Sequence, residues 1–270
     1  MTEQTAPADQ PVIYAVSDGI ATITLNRPDT MNSLDVATKV ALRDAVVRAS
    51  EDEGVRCVVL TGTGRAFCVG QDLKEHVEIL HSSSSDELFR TVPEHYNPTV
   101  KAIATMNKPV IAAVNGVAAG AGASLAFACD FRLVAESAGF NLAFTGVALS
   151  CDTGASWTLP RLVGRAKALE LLYFPRTIPA QEALDLGLAT TVVASADLPQ
   201  EVARLAQRLA SGPTVAFGAV RRSVEHSAGH DLVTSLEFEA EMMALTGGTQ
   251  DHARAVAAFV AKEKPVYEGR

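Results

Sequence analysis

The stretch NKPVIAAVNGVAAGAGASLAFACD, residues 107–130, contains the pattern that decides the fold. Its first half is a continuous apolar run entered through Pro109, which is typical of a strand buried on both faces of a parallel sheet. Its second half passes through Gly120, Ala121 and Gly122 into an apolar segment of helical length. The sequence therefore predicts a buried strand, a glycine-rich turn and a helix in direct succession.

Similar strands are predicted on both sides of this stretch. VRCVVLTG at residues 55–62 is a second continuous apolar run, and residues 19–25 alternate between polar and apolar side chains as a half-buried strand does. Further short strands are predicted for DFRLV from Asp130 and ATTVV from Ala189. Strands separated by helical stretches, without a fixed-length repeat, favour a layered α/β domain with right-handed crossovers.

An amphipathic helix is predicted between the first two of these strands. Ser33 lies near its cap, and Asp35 falls in its first turn, where a carboxylate interacts favourably with the helix dipole. The residues expected on its buried face are Val36, Ala37, Val40, Ala41 and Val47.

Two other segments differ from this alternation. From Leu198 onward, apolar residues recur almost exclusively at helical spacing, with interruptions at Gly212, Pro213 and Gly247. The serine-rich segment HSSSSDELF, residues 81–89, has too few apolar residues to bury itself. The sequence leaves open whether this segment is a plain surface loop or an active-site flap.

The composition of the chain argues against several classes of function. Of its 270 residues, 48% are hydrophobic and 20% are charged, values typical of a soluble globular protein. Its formal net charge of −8 would repel a nucleic-acid backbone. A polar N-terminus, and no run of about 18 apolar residues, predict a cytoplasmic protein that does not enter a membrane. The 4 cysteines have neither metal-binding nor disulfide spacing, so no metal site is predicted.

The glycine-rich residues 120–122 have a chemical interpretation beside a structural one. Small side chains let a ligand approach the backbone, and the unpaired N–H groups at the start of a helix attract an anion or a developing oxyanion. Close packing of alanine and glycine accounts for the same residues. The spacing of GVAAGAG matches neither a phosphate-binding loop nor a dinucleotide-binding fingerprint.

Four motifs, in this order and spacing, resemble those of the crotonase superfamily, also called the enoyl-CoA hydratase/isomerase family. They are TLNRPDTMNSL (24–34), LTGTGRAFCVGQDLKE (60–75), NKPVIAAVNGVAAGAGASLAFACD (107–130) and AFTGVALSCDTGASWTLPRLVG (143–164). The resemblance extends over nearly the whole chain. It implies an α/β crotonase (ClpP/crotonase-like) spiral of β-β-α repeats over residues 1–205 and a C-terminal helical trimerisation region over residues 206–270. A homotrimer or homohexamer is implied with it.

In this family two backbone N–H groups form an oxyanion hole for the carbonyl of an acyl-CoA thioester. The resemblance places these groups at Gln71 and Ala121. It further implies that coenzyme A binds as part of the substrate, with no other cofactor. The residues expected to contact it are Arg27, Met31, Ala66, Val69, Asp72, Leu73 and Lys74, together with Lys262 near the C-terminus of a neighbouring subunit. For Lys74 and Lys262 the alternative is an ordinary solvated lysine.

The chain departs from the hydratases of this family at two positions. Those enzymes use two glutamates to activate water and to move the proton at C2, whereas the matching positions here are Ser124 and Phe144. Neither side chain can act as a carboxylate, so ordinary hydration is expected to be slow or absent. Whether Ser124 has any catalytic role stays open.

Asp152, in the motif CDTGASW, is the remaining candidate for acid–base chemistry. An aspartate at this position resembles two subgroups of the family: ring-epoxyphenylacetyl-CoA isomerases with related enoyl-CoA isomerases, and 4-chlorobenzoyl-CoA dehalogenase. The alternative is that Asp152 caps a helix beginning near Thr153. Its pKa is expected to be raised toward the range useful for proton transfer by apolar neighbours, Phe144, Val147, Leu149 and Trp157.

The sequence therefore predicts an enzyme that isomerises a double bond or ring in an acyl-CoA thioester, with Asp152 as acid and base. Dehalogenation is disfavoured, because its water-activating histidine corresponds to Asn97 and the nearby His95 is two residues away. Tyr96 and Trp157 either line the acyl pocket or belong to the core. The alternative functions are an enoyl-CoA hydratase, another thioester reaction that uses Asp152, and a non-catalytic acyl-CoA-binding protein. The acyl group is not defined by the sequence.

Overall fold

A computed structural model describes residues 10–82 and 88–270, which form two sheets surrounded by helices. The strands predicted to begin near residues 19, 55, 108, 130 and 189 are confirmed as β2, β3, β5, β7 and β10 of the following series. In chain order the strands are β1 (Val12–Ser17), β2 (Ile20–Leu25), β3 (Cys57–Gly62), β4 (Ala66–Cys68), β5 (Val110–Val114), β6 (Val117–Ala119), β7 (Phe131–Ala135), β8 (Gly139–Asn141), β9 (Thr177–Pro179) and β10 (Thr191–Val193).

The larger sheet has the strand order β1-β2-β3-β5-β7-β10. β1 and β2 pair antiparallel, and all later neighbours are parallel. Every residue of β5 and the first four residues of β3 are buried, whereas β2 alternates between buried and half-buried residues. Strands covered on both faces need continuous apolar runs, which explains the two patterns seen in the sequence.

The smaller sheet has the order β4-β6-β8-β9 and receives the chain after each central strand of the larger sheet. β4, β6 and β8 are parallel, and β9 pairs antiparallel with β8. The chain passes from β3 through β4 into a helix, and then from β5 through β6 into another helix. This succession confirms the predicted β-β-α repeats.

Helices cover the two sheets and form the C-terminal part of the chain. In order they are α1 (Val36–Glu51), α2 (Leu73–Ser82), α3 (Asn97–Thr105), α4 (Ala121–Phe127), α5 (Ala155–Val163), α6 (Arg165–Tyr173), α7 (Ala180–Asp185), α8 (Leu198–Ala210), α9 (Thr214–Ser227), α10 (Leu232–Gly247) and α11 (Gln250–Ala261). α8 to α11 confirm the predicted helical C-terminal part. Within the described ranges, none of these helices has the length and apolar character required to cross a membrane.

Two segment boundaries predicted from the sequence fall inside helices. The proposed division at residue 205 falls inside α8, which packs on β3, β5 and β7, so the two-region division stays a prediction. Of the predicted serine-rich loop, His81 and Ser82 form the end of α2 instead. Residues 83–87, the centre of that loop, lie outside the described residues.

The buried face of α1 differs from the predicted one. Asp35, not Ser33, is the N-cap, and its carboxylate accepts hydrogen bonds from the Thr38 N–H at 2.8 Å and the Thr38 hydroxyl at 2.6 Å. Val36 is 41% exposed. The predicted face is wrong because the buried one includes polar residues with polar partners, which a hydrophobic pattern does not identify. It consists of Thr38, Lys39, Leu42, Ala45, Val46 and Ala49.

The last residues of the chain fold back onto α11. The buried Asp251 accepts hydrogen bonds from the N–H groups of Glu268 at 2.7 Å and Gly269 at 2.8 Å. Arg56, which immediately precedes β3, donates to the Tyr267 carbonyl at 3.1 Å. The C-terminal segment is therefore tied both to α11 and to the start of β3 in the larger sheet.

We expect Asp251→Ala to lower the free energy of unfolding by about 1–3 kcal/mol, because two backbone N–H groups lose their acceptor. Urea denaturation monitored by circular dichroism measures this difference. Asp197→Ala is the matched control, since Asp197 is exposed and its side chain does not cap α8. Equal losses in the two variants would argue against a stabilising role for the Asp251 contacts.

Candidate active site

The sequence has two glycine-rich stretches, GRAFCVGQDL (64–73) and NGVAAGAG (115–122), and they meet between the smaller sheet and α4. β4 pairs with β6, with Cys68 opposite Ala118. Gly70 follows β4 with a φ of +84°, and a methyl group built on it would lie 2.9 Å from the Ala119 oxygen and 3.2 Å from the Ala121 nitrogen. A side chain at residue 70 would therefore collide with the start of α4. Glycine at this position allows Gln71 and Ala121 to lie at one place.

The backbone on both sides of Gln71 is fixed by Leu34. The Leu34 N–H donates to the Gly70 carbonyl at 2.8 Å, and the Asp72 N–H donates to the Leu34 carbonyl at 3.1 Å. In this parallel bridge the N–H of the intervening residue points away from Leu34. No acceptor for the Gln71 N–H occurs within residues 10–82 and 88–270. This donor is therefore available to a ligand.

The Ala121 N–H lies at the start of α4. Gly120 is the N-cap residue, with a φ of 51° and no side-chain hydrogen bond to the helix. N–H groups in the first turn of a helix have no partner within the helix, and the described part of the chain supplies no acceptor for that of Ala121. Gln71 and Ala121 thus supply two neighbouring backbone donors without an acceptor in the described residues, and their role as an oxyanion hole stays a prediction.

Asp152 is half-buried between β8 and α5, and burial raises the pKa of its carboxyl. A hydrogen bond from the Thr153 hydroxyl to Oδ1, at 2.8 Å, opposes part of that rise. The alternative that Asp152 caps a helix is wrong. The N-cap of α5 is Gly154, and no side chain caps this helix. The carboxylate is therefore not engaged by the helix N-terminus.

The environment of Asp152 differs in part from the predicted one. Val147 is 52% exposed and Trp157 is 44% exposed, so neither supplies a buried apolar wall. Trp157 stacks instead with the guanidinium of Arg161. Tyr96, by contrast, is buried, and its pKa is raised first by that burial and then by the charge of Asp152. Tyr96 therefore belongs to the surroundings of Asp152.

The two positions that correspond to the hydratase glutamates hold no acid. Ser124 is fully buried in α4, and its hydroxyl donates to the Gly120 carbonyl at 3.1 Å. Phe144 is buried after β8. A serine bonded to its own helix and a phenyl ring cannot act as a general acid or base at neutral pH, so the catalytic role of Asp152 stays a prediction.

A buried polar group beside Gln71 was not identifiable from the sequence patterns. The Gln71 Oε1 accepts hydrogen bonds from the Tyr96 hydroxyl at 2.6 Å and from Lys39 Nζ at 3.3 Å. Glu75 forms an ion pair with Lys39 at 3.7 Å. We name these four residues the Lys39 cluster. They are separated in the sequence and come from α1, α2, the residues after β4 and the π-helical segment before α3, so no local sequence pattern indicated them.

The residues predicted to contact coenzyme A lie mainly in two neighbouring segments. The Val69 N–H donates to the Met31 carbonyl at 3.3 Å, which joins the segments. Val69 and Met31 are half-buried, and Ala66 is fully buried. Leu73 and Lys74 are exposed at the start of α2. The two segments are therefore neighbours, and coenzyme A binding along both stays a prediction.

Arg27 and Asp72 join the same two segments by an ion pair of 3.1 Å. Burial by itself would raise the pKa of Asp72, but hydrogen bonds from Ser33 and Arg27 outweigh it and hold this pKa below its usual value. Lys262 is exposed at the end of α11. Within the described residues, no hydrogen bond or ion pair links Lys262 to the two segments.

Comparison with known proteins gives consistent results. The sequence profile of the enoyl-CoA hydratase/isomerase family matches residues 15–270 of this chain. The 1,2-epoxyphenylacetyl-CoA isomerase of Escherichia coli (strain K12) is 37% identical over 259 residues, which cover 96% of this chain and 98% of that protein. A 4-chlorobenzoyl coenzyme A dehalogenase of Arthrobacter sp is 31% identical over 256 residues, covering 95% and 92%. The crystal structure of an enoyl-CoA hydratase from Bacillus anthracis has a TM-score of 0.90 at 33% identity, covering 97% of this chain and 100% of that one.

These similarities cover nearly the whole length of each protein and include a structure with the same fold. They confirm the crotonase fold and the family resemblance that the four sequence motifs indicate. The relatives carry the names of an isomerase, a dehalogenase and a hydratase, so the comparisons give the reaction class only as chemistry on CoA thioesters. The chain is an enzyme of the enoyl-CoA hydratase/isomerase family.

Proposed function

We propose that this enzyme isomerises an acyl-CoA thioester by moving a proton through an enolate, with Asp152 as the acid and base. The observation that carries the proposal is the environment of Asp152. It is half-buried and has a raised pKa, and its charge acts on Tyr96, which in turn bonds to Gln71. A carboxylate tuned in this way, related through Tyr96 to Gln71, suits proton transfer beside a thioester.

The reaction requires one carboxylate and no co-reactant. In a 3-enoyl thioester, Asp152 removes a proton from the carbon beside the thioester carbonyl, and the electron pair of the broken C–H bond moves into an enolate conjugated with the double bond. The N–H groups of Gln71 and Ala121 donate to the enolate oxygen, whose negative charge develops only along the reaction path. Protonated Asp152 then returns the proton to the other end of the allylic system. The double bond has moved, and the carboxylate is restored.

For both hydration and dehalogenation, this chain lacks a side chain that the reaction would require. Hydration with two acids would need carboxylates where Ser124 and Phe144 stand. Dehalogenation would need a base at Asn97, the first residue of α3, whose amide cannot take up a proton at neutral pH. Hydration with Asp152 as the single acid is the remaining alternative reaction, and binding without turnover is the alternative outside catalysis.

Isotope exchange tests the proposal. The purified enzyme is incubated in D2O with a panel of 3-enoyl and 2-enoyl CoA thioesters, with ultraviolet absorbance and mass spectrometry as readouts. We expect conjugation of the double bond, with deuterium incorporation to the extent that protonated Asp152 exchanges with D2O before it returns the proton. A product heavier by one water would support hydration. Tight binding of the whole panel without exchange would support a binding protein.

The pH dependence of kcat/KM is a second test. Protonation of Asp152 removes the base, so kcat/KM should fall about tenfold per pH unit below an apparent pKa that lies above the usual 3.8 of an aspartate. Thr153→Val, which removes the hydrogen bond that favours the carboxylate, should move this acidic limb to higher pH. A limb at or below the usual aspartate value, unmoved in the variant, would point to another base.

Substrate binding and assembly complete the proposal. Arg27, Met31, Ala66, Val69, Asp72, Leu73 and Lys74 would line the coenzyme A site, and Lys262 would reach it from a second subunit. Assembly as a homotrimer or homohexamer is supported by the apolar side chains that a single chain leaves exposed on α9 to α11. These include Val220, Val224, Leu232, Met243, Phe259 and Val260. A cytoplasmic location stays part of the proposal.

A further inference from the structure

The Lys39 cluster contains a lysine in an unusual position. Its side chain is 2% exposed, and burial lowers its pKa, although the charge of Glu75 opposes this effect. The other acids that act on it are Asp35 and Asp72. Burying an ammonium group is costly unless it is paired and hydrogen-bonded. An apolar residue at the same position of α1 would fill the core without that cost, so a stabilising role alone does not explain the lysine.

The contacts of Lys39 converge on one atom. Lys39 Nζ and the Tyr96 hydroxyl both donate to Oε1 of Gln71, at 3.3 Å and 2.6 Å. The Lys39 ammonium also lies 5.8 Å from the centre of the Tyr96 ring, so the two donors support each other. Two donors on one amide oxygen fix the direction of the Gln71 side chain from the side of α1 and α3.

The backbone of Gln71 is held from the same side. Its two neighbours bond to Leu34, which directly precedes the N-cap of α1. Side chain and main chain are thus anchored at several points, while the N–H points away from Leu34 and has no acceptor in the described residues. Catalytic donors act best when they are fixed before the charge develops, because they then need no reorganisation during the reaction.

We propose that Lys39 and Tyr96 are positioning residues that hold Gln71 so that its N–H stays directed at the thioester oxygen. This inference rests on the proposed function, since it concerns the donor that stabilises the enolate. Neither residue takes or gives the transferred proton. Their effect is expected on the stability of a bound enolate and on kcat, with little change in KM.

Acetoacetyl-CoA is a suitable probe, because it ionises to an enolate that absorbs in the ultraviolet and needs no turnover. Its pKa when bound reports how strongly the two N–H groups stabilise the enolate. We compare the wild type with Lys39→Met and Tyr96→Phe, which nearly keep the volume of the side chains. Arg43→Met is the matched control, because Arg43 is a cation one turn farther along α1 that contacts Asp44 and the Glu94 carbonyl instead of Gln71.

In the wild type the bound pKa should be lower than in solution, and each of the two variants should raise it by about one unit, equivalent to a tenfold weaker stabilisation. kcat should fall by a similar factor, and the double variant should lose less than the product of the single losses. Circular dichroism and thermal unfolding establish that each variant is folded.

Several outcomes would overturn the inference. An unchanged bound pKa in folded Lys39→Met would show that Gln71 needs no support. An effect of Lys39→Met without one of Tyr96→Phe would show that the lysine acts through its charge alone. An equal effect of Arg43→Met would show a general dependence on charge. A wild type that binds acetoacetyl-CoA without lowering its pKa, or does not bind it, would contradict the proposed oxyanion hole itself.

Discussion

Asp152→Asn should lower kcat for isomerisation by about 10²- to 10⁴-fold, the range that a positioned general acid and base contributes. The amide has nearly the shape of the carboxylate, but it cannot take up a proton at neutral pH. Because the loss concerns the transition state, kcat and kcat/KM should fall together, while binding of the thioester is kept. Initial rates on the substrate identified by isotope exchange measure the effect, and isothermal titration measures binding.

The same variant should be at least as stable as the wild type. Burial raises the folded-state pKa of Asp152 above its unfolded value, so the folded state binds more protons between these two values. Stability therefore decreases as the pH rises from the usual aspartate pKa through the raised one, and it stays lower at neutral pH. Asparagine does not titrate, so the stability of the variant does not depend on pH through residue 152. Thermal unfolding at pH 7 and at low pH should show an advantage of Asp152→Asn that is present only at the higher pH.

Asp197→Asn is the control for both measurements, because Asp197 is an exposed aspartate without a capping hydrogen bond. It should change neither rate nor stability. If Asp152→Asn kept more than about a tenth of the wild-type rate, Asp152 would not be the general base.

Gly122→Ala should destabilise the protein by about 3 kcal/mol, at the upper end of the usual cost of overpacking. A methyl group at Gly122 would lie 2.1 Å from the Cys68 carbonyl oxygen, which is part of β4 and cannot move independently of the smaller sheet. Relief would require α4 to shift away from β4. Such a shift would separate the N–H of Ala121 from that of Gln71, so kcat should fall as well. Urea denaturation and the acetoacetyl-CoA titration measure the two effects.

Gly247→Ala serves as its control, because Gly247 ends α10 and, among the described residues, no atom beyond its own helical turn lies within 4 Å of a methyl group built on it. Alanine at this helical position should leave stability unchanged or slightly improve it. A Gly122→Ala protein as stable and active as Gly247→Ala would mean that β4 and α4 can separate without harm to the site. The strict need for glycine at residue 122 would then be disproved.

The strands were predictable because each depends on a local pattern, whereas the meeting of the two glycine-rich stretches was implied by the family resemblance. The continuous runs at 57–62 and 110–114 form the buried centre of the sheet, and glycines at 70 and 122 stand where another side chain would collide with backbone. Such positions constrain the sequence strongly, and the constraint is visible in the residue types themselves.

The details missed by the sequence depend on partners that are distant along the chain. The buried side of α1 includes Lys39, whose partners Gln71 and Tyr96 lie on other elements. Similarly, the two interpretations of Asp152 differ only in backbone conformation. Left-handed residues at Thr153 and Gly154 move the cap of α5 to Gly154 and leave the carboxylate uncapped. No periodic pattern records either feature.

The conformation of Thr153 affects which substitutions selection would favour at residues 152 and 153. It is a buried, β-branched residue at a φ of +51°, a conformation that costs such a residue about 1–3 kcal/mol. Selection for heat resistance alone would favour glycine or asparagine here, and an uncharged residue beside it. Selection for turnover instead favours aspartate at residue 152 and the threonine that donates a hydrogen bond to it. In a directed-evolution experiment, residues 152 and 153 should therefore be among the first to change when activity is not screened, and among the last when it is.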